Sequence, residues 1–137
     1  MFVPKHRFRL LIADDDRGVR ETLVDMLQPD FGTITVESGE EALEVVEHEE
    51  VHLLLLDVHM PILTGLDALR VVRHRRAELP CILMSADWTA PLRLEAIESQ
   101  ATAVLDKPMT RRQLVATITI ALEETYSDLW TPDSESP

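Results

Sequence analysis

Three aspartates, a serine and a lysine of this chain stand where apolar runs stop, and each is a residue type able to do chemistry there. Asp57 closes the run Leu53-Leu54-Leu55-Leu56, at a point where a turn residue would ordinarily end a buried strand. Asp14 and Asp15 close a shorter run, residues 10–13. Three carboxylates brought together repel, so that one holds its proton at neutral pH unless a cation lies among them. An all-oxygen site of this kind suits Mg²⁺, which takes few carboxylates and keeps several waters. Lys107 and Lys5 are the only lysines among 13 basic residues, and a compact ammonium at such a site acts as a point charge for phosphoryl oxygens. Ser85 can donate one hydrogen bond to the same group. Together these side chains fit an in-line phosphoryl transfer to the Asp57 carboxylate, promoted by positioning and electrostatics.

For that chemistry the chain must bring the five residues together. Residues 8–13 read as a first strand, and Val19, Leu23, Met26 and Leu27 then recur at helical spacing until Gln28-Pro29-Asp30. Residues 33–37 form a second, β-branched strand, and Ser38 with Glu41 predicts a capping box for a helix that turns Ala42, Val45 and Val46 inward. The leucine run ending at Asp57 is third, unbroken as in a strand buried on both faces. A helix over 64–76 buries Leu66, Leu69 and Val72 and leaves a basic outer face with Arg70, Arg73, Arg75 and Arg76, which reads as a solvated face, with a partner-binding patch as the alternative. Residues 80–84 form a fourth strand, followed by a helix over 91–99 with Pro91 in its first turn. Residues 101–105 are a fifth strand, and Thr110 caps a last helix through Leu114, Ile118 and Leu122.

Five strands alternating with five helices predict an α/β fold, a doubly wound parallel sheet with helices on both faces. In such sheets ligands bind beyond the carboxyl ends of the strands. Asp14, Asp15, Asp57, Ser85 and Lys107 all follow strand ends, so all five should meet on one edge.

The acidic cluster in LIADDD, the segment LLLLDVHMP with Gly65 downstream, MSAD, and LDKPM, in this order and spacing, resemble the receiver domain of two-component response regulators. The resemblance covers about residues 7–124. It implies a flavodoxin-like strand order 2-1-3-4-5, phosphorylation of Asp57, and metal binding by Asp14 and Asp15. It also implies that His59 supplies a backbone carbonyl to the metal, so that its imidazole is not needed as a ligand. Ser85 matches the switch hydroxyl and Lys107 the lysine before a proline, with a cis Lys107–Pro108 bond. The implied partners are a histidine kinase or histidine phosphotransfer protein and a downstream protein target, and a homodimer is admitted. Two features depart from the common pattern. Val104 stands where many receivers carry an aromatic residue that reports phosphorylation, and Met109 follows Pro108 in place of phenylalanine. His59 and Asp87 occupy positions that in this family tune loss of the phosphoryl group.

Composition narrows the alternatives. With 137 residues, 45% of them apolar, the chain fits one domain, expected over 1–125, followed by an acidic tail or linker start over 126–137. An excess of 25 acidic over 13 basic residues argues against direct nucleic-acid binding. Lys5, Arg7 and Arg9 precede an apolar stretch too short for a signal peptide, and no apolar run approaches the ~18 residues of a membrane span. The single Cys81 lies in an apolar run and behaves as a small hydrophobe, as suits a reducing cytoplasm. His6, His48, His52 and His74 share no metal-ligand spacing. Tail residues beyond Tyr126 read as disordered, with Trp130 either packed on the domain or a partner or merely exposed. Two other functional classes remain beside the signalling phosphoacceptor, which is not an enzyme acting on a separate substrate. One is an interaction module that keeps the fold without phosphorylation, which the joint presence of Asp57, Lys107 and the acidic pair opposes. The other is a Mg²⁺-dependent phosphohydrolase using an aspartyl-phosphate, whose second acid would fall at His59.

Overall fold

The structure, a computed structural model, describes residues 8–127. The expectations for Lys5, His6, Arg7 and the tail with Trp130 lie outside the described residues. Five parallel strands form one sheet: β1 (Arg9–Ala13), β2 (Gly32–Val36), β3 (Leu53–Asp57), β4 (Cys81–Ser85) and β5 (Ala103–Asp106), in the order β2-β1-β3-β4-β5. The helices between and after them are α1 (Arg17–Leu27), α2 (Gly39–His48), α3 (Gly65–Arg75), α4 (Ala90–Glu98) and α5 (Arg111–Thr125).

The leucine run is explained by its place at the centre of the sheet. Successive side chains of a strand point to opposite faces. Leu54 and Leu56 accordingly join Leu11, Leu83 and the inward residues of α2, α3 and α4. Leu53 and Leu55 join Leu10, Ile12, Ile82 and the inward residues of α1 and α5. All four leucines are fully buried, and each contributes roughly 1.5–3 kcal/mol by leaving water. A strand covered on both faces has no position for a polar residue except its end, and Asp57 is that end.

Each helix starts on a side chain that accepts a backbone N–H: Asp16, Ser38, Thr64, Thr89 and Thr110. Such caps satisfy donors that the helix itself leaves unpaired. The box expected at Ser38 is only half formed. Ser38 accepts from Glu41 N–H, but the Glu41 carboxylate reaches one residue further back, to the Glu37 N–H at 2.9 Å. Full reciprocal boxes occur at Thr64 with Asp67 and Thr110 with Gln113. Thr64 and Arg76 flank α3 as its caps, and Pro91 lies in the first turn of α4, whose cap is Thr89.

The basic face of α3 is not a free solvated surface. Arg70 Nε donates to Ser99 Oγ at 3.1 Å, and Arg75 Nη1 meets Glu47 at 2.9 Å. Arg73 donates to the carbonyls of Leu79 and Gln100 and to Thr102 Oγ1, tying α3 to the turn between α4 and β5. These carbonyls lie where regular elements stop and need outside donors. Among the described residues no helix is long and apolar enough to cross a membrane.

Candidate phosphoacceptor and metal site

The carboxyl ends of β1, β3, β4 and β5 place the expected residues on one edge of the sheet. Asp14 follows β1. Its N–H donates to Val36 O of β2 at 3.2 Å, and its carbonyl accepts from Arg20 Nη1 at 2.8 Å. Its carboxylate accepts the Asp16 N–H at 2.9 Å and is fully buried. Asp57 is held from behind by Gly65. A Cβ at that glycine would lie 2.2 Å from the Asp57 carbonyl oxygen, so only glycine lets the start of α3 pass this close. Gly65 N–H also donates to Val58 O at 3.1 Å. Lys107 follows β5, its N–H donating to Ser85 O at 2.9 Å, and the Lys107–Pro108 bond is cis.

Lys107 Nζ lies 2.6 Å from Asp14 Oδ2 and 3.1 Å from Asp57 Oδ1, bridging two nearly inaccessible carboxylates. Burial is the main cause that raises the Asp57 carboxyl above its ordinary value. The Asp14 charge adds to it, and Lys107 and the His59 backbone N–H oppose it. Burial pulls the Lys107 ammonium the other way, but its hydrogen bonds and charge contacts with Asp14 and Asp57 outweigh it and hold the ammonium above its usual range. The site thus contains an acid destabilised as an anion and a lysine firmly charged.

Asp14, Asp15 and Asp57 offer carboxylate oxygens that all lie within 4.8 Å of one another. One positive ammonium does not balance three carboxylates, and the hard, all-oxygen donor set fits a divalent ion such as Mg²⁺. Asp15 is exposed while Asp14 and Asp57 are buried, so the cluster opens toward solvent on the Asp15 side.

Two other arrangements flank the cluster, and one of them was not legible from spacing. Ser85 is fully buried, and its Oγ lies 2.9 Å from His59 Nε2 while accepting the Asp87 N–H at 2.9 Å. The imidazole therefore faces the serine and is not among the clustered metal-donor side chains. Asp16, the third acid of the run, caps α1 through Val19 N–H at 3.2 Å. Its signal was present, since an Asp directly before a helical period is a cap. His59 and Ser85 are 26 residues apart, and only the convergence of two strand ends joins them.

Comparison with known proteins agrees with this geometry. The response regulator MprA of Mycobacterium leprae is 37% identical over 123 residues, which are 88% of this chain and 53% of that protein. The chain thus spans about half the length of the curated relatives it matches. A CheY-like receiver domain protein from Methanospirillum hungatei superposes with a TM-score of 0.84 at 23% identity, over 88% of this chain and 98% of that one. A BeF3-activated DrrB receiver domain superposes with a TM-score of 0.78 at 26% identity, over 85% and 97%. Residues 10–119 match the family described as response regulator receiver domain, a span that holds the acid pair, the acceptor strand, the serine and the lysine, and the chain belongs to that family.

Proposed function

We propose that Asp57 is the phosphoacceptor of a two-component phosphorelay and that a conformational shift on phosphorylation signals to a protein partner. The observation that carries this reading is the double bridge of Lys107 to Asp14 and Asp57 beside Asp15. In the step itself an Asp57 carboxylate oxygen attacks phosphorus in line while the bond from phosphorus to the donor's imidazole nitrogen breaks. The phosphoryl group passes to Asp57 and the donor imidazole leaves. Lys107 follows the charge from the carboxylate to the phosphoryl oxygens, and Ser85 donates its hydroxyl proton to one of them once it turns from His59. Asp14, Asp15, Asp57 and the His59 carbonyl would hold Mg²⁺, which when bound would neutralise charge on the carboxylates and the incoming phosphoryl group.

The donor is a histidine kinase or histidine phosphotransfer protein of the cytoplasm, as the family implies. The receiver unit is residues 1–125, supported by the end of α5 at Thr125, with residues 126–137 as a tail or the start of a linker. A phosphohydrolase reading loses its second acid, because His59 stands two residues after the acceptor and is engaged with Ser85.

Incubation with acetyl phosphate and Mg²⁺, followed by intact mass measurement, should add one phosphoryl group to the parent chain and none to Asp57→Asn. A gain that survives the substitution refutes the assignment. No gain in the parent favours the non-phosphorylated interaction module.

A further inference from the structure

Val104 leaves the middle of β5 without an aromatic ring, yet a ring packs against the same core cluster from the neighbouring loop. Trp88, three residues after Ser85, is half-buried beside that cluster, as is Val104. Its indole N–H donates to the carbonyl oxygen of Leu105 in β5 at 2.9 Å. The Arg93 guanidinium carbon lies 5.3 Å from the ring centroid, and the same guanidinium reaches Asp106, the residue before Lys107, at 3.3 Å. The tryptophan is thus fixed at two points. A three-residue tether joins it to the Ser85 hydroxyl, and a hydrogen bond joins it to the strand that delivers Lys107.

The helix that follows is built to move with it. Thr89, the next residue, caps α4, and within α4 only Ala96 is buried. Leu94 and Ile97 are exposed. Leu92 packs partly buried against the core, and the ties of α4 to α3 through Arg70 are polar, to Glu95 at 3.4 Å and to its C-cap Ser99 at 3.1 Å. Such exposed polar contacts are individually weak. A helix with one buried residue and weak ties is drawn from the low-stability end of a fold.

We propose that Trp88 is the element that carries the phosphorylation state from Ser85 to the face formed by α4 and β5. The inference rests on the phosphoacceptor reading of Asp57. When the Ser85 hydroxyl leaves His59 for the phosphoryl group, the segment of Ala86 and Asp87 follows. The indole is drawn along, its bond to Leu105 is remade, and the first turn of α4 shifts with its cap. The ring adjacent to the loop does what Val104 has no ring to do.

The chain has two tryptophans, so Trp130→Phe leaves Trp88 as the only one. In that background, acetyl phosphate and Mg²⁺ are added while intact mass and tryptophan emission are followed in parallel, with Mg²⁺ alone as the baseline. The emission maximum should shift in proportion to the phosphorylated fraction. In the added variant Ser85→Ala the mass gain, which itself reports a folded site, should persist at a slower rate while the emission shift is lost. A merely structural tryptophan would give no shift, or the same shift with and without Ser85. Either result overturns the inference while leaving the phosphoacceptor reading intact. Absence of any mass gain in the Trp130→Phe chain removes that reading and this inference with it.

Discussion

Replacing Lys107 with methionine removes the one ammonium that separates two buried carboxylates while keeping most of the side-chain volume. At an effective dielectric constant of about 20, its contacts of 2.6 Å with Asp14 and 3.1 Å with Asp57 amount to roughly 5–6 kcal/mol each before desolvation. Most of that attraction offsets the cost of taking the charges out of water. What the substitution exposes is the repulsion left behind. Carboxylate oxygens within 4.8 Å of each other repel by at least about 3 kcal/mol on the same footing. The variant should therefore lose about 3 kcal/mol, the lower end of the range for breaking a buried pair, because 17% of the lysine side chain remains in contact with solvent. Asp57→Asn alone should be neutral or stabilising, since burial and Asp14 already disfavour its anion. Combined with Lys107→Met it should recover roughly 1–2 kcal/mol, because the repulsion then has only one buried partner. Urea unfolding of all four chains without Mg²⁺, followed by circular dichroism, measures the cycle. Strictly additive effects of the two substitutions, or a Lys107→Met variant as stable as the parent, would refute the electrostatic account of the bridge.

Other perturbations test other parts of the structure. Gly65→Ala puts a methyl group 2.2 Å from the Asp57 carbonyl oxygen. It should cost about 1–3 kcal/mol and slow phosphorylation by acetyl phosphate, and unchanged melting and rate would show that the loop yields freely. His52 Nδ1 accepts the Arg9 N–H at 3.0 Å, and burial holds the imidazole below its ordinary value of 6.5 despite Glu50 nearby. The unfolded chain therefore takes up the proton first. The stabilisation is complete above pH 6.5 and is lost as pH falls through the lowered value. Melting temperatures across that window should fall more steeply for the parent than for His52→Gln, and parallel curves would exclude the histidine as the cause. His59→Ala frees the Ser85 hydroxyl and opens the site to water, so the phosphoryl lifetime should shorten several-fold, and Asp87→Ala should also alter it. Equal lifetimes in both variants and the parent would remove the tuning role of this pair.

Much of the fold could be read from residue order because its determinants are local. A leucine run too short for a helix and ended by an acid gave β3, and Ser38 and Thr110 before helical periods gave the starts of α2 and α5. Parallel strands then send every strand end to one edge, so Asp14, Asp57, Ser85 and Lys107 could be grouped without coordinates. Side-chain direction was not legible. Glu41 could reach either Ser38 or Glu37, and the choice depends on how the chain enters α2. Arg73 read as solvated because its partners, the carbonyls of Leu79 and Gln100, become acceptors only where tertiary packing leaves them unpaired. The His59 contact with Ser85 and the Trp88 contact with Leu105 join neighbouring strand ends across 26 and 17 residues, beyond any periodic signal.

The bridge at Lys107 joins residues 93 and 50 positions apart in the chain. No fragment that stops short of β5 contains the ammonium, and none that stops short of β3 contains the acceptor. A chain still emerging from the ribosome accordingly lacks the charge bridge until β5 has been made, so the site is assembled only with the last strand of the sheet.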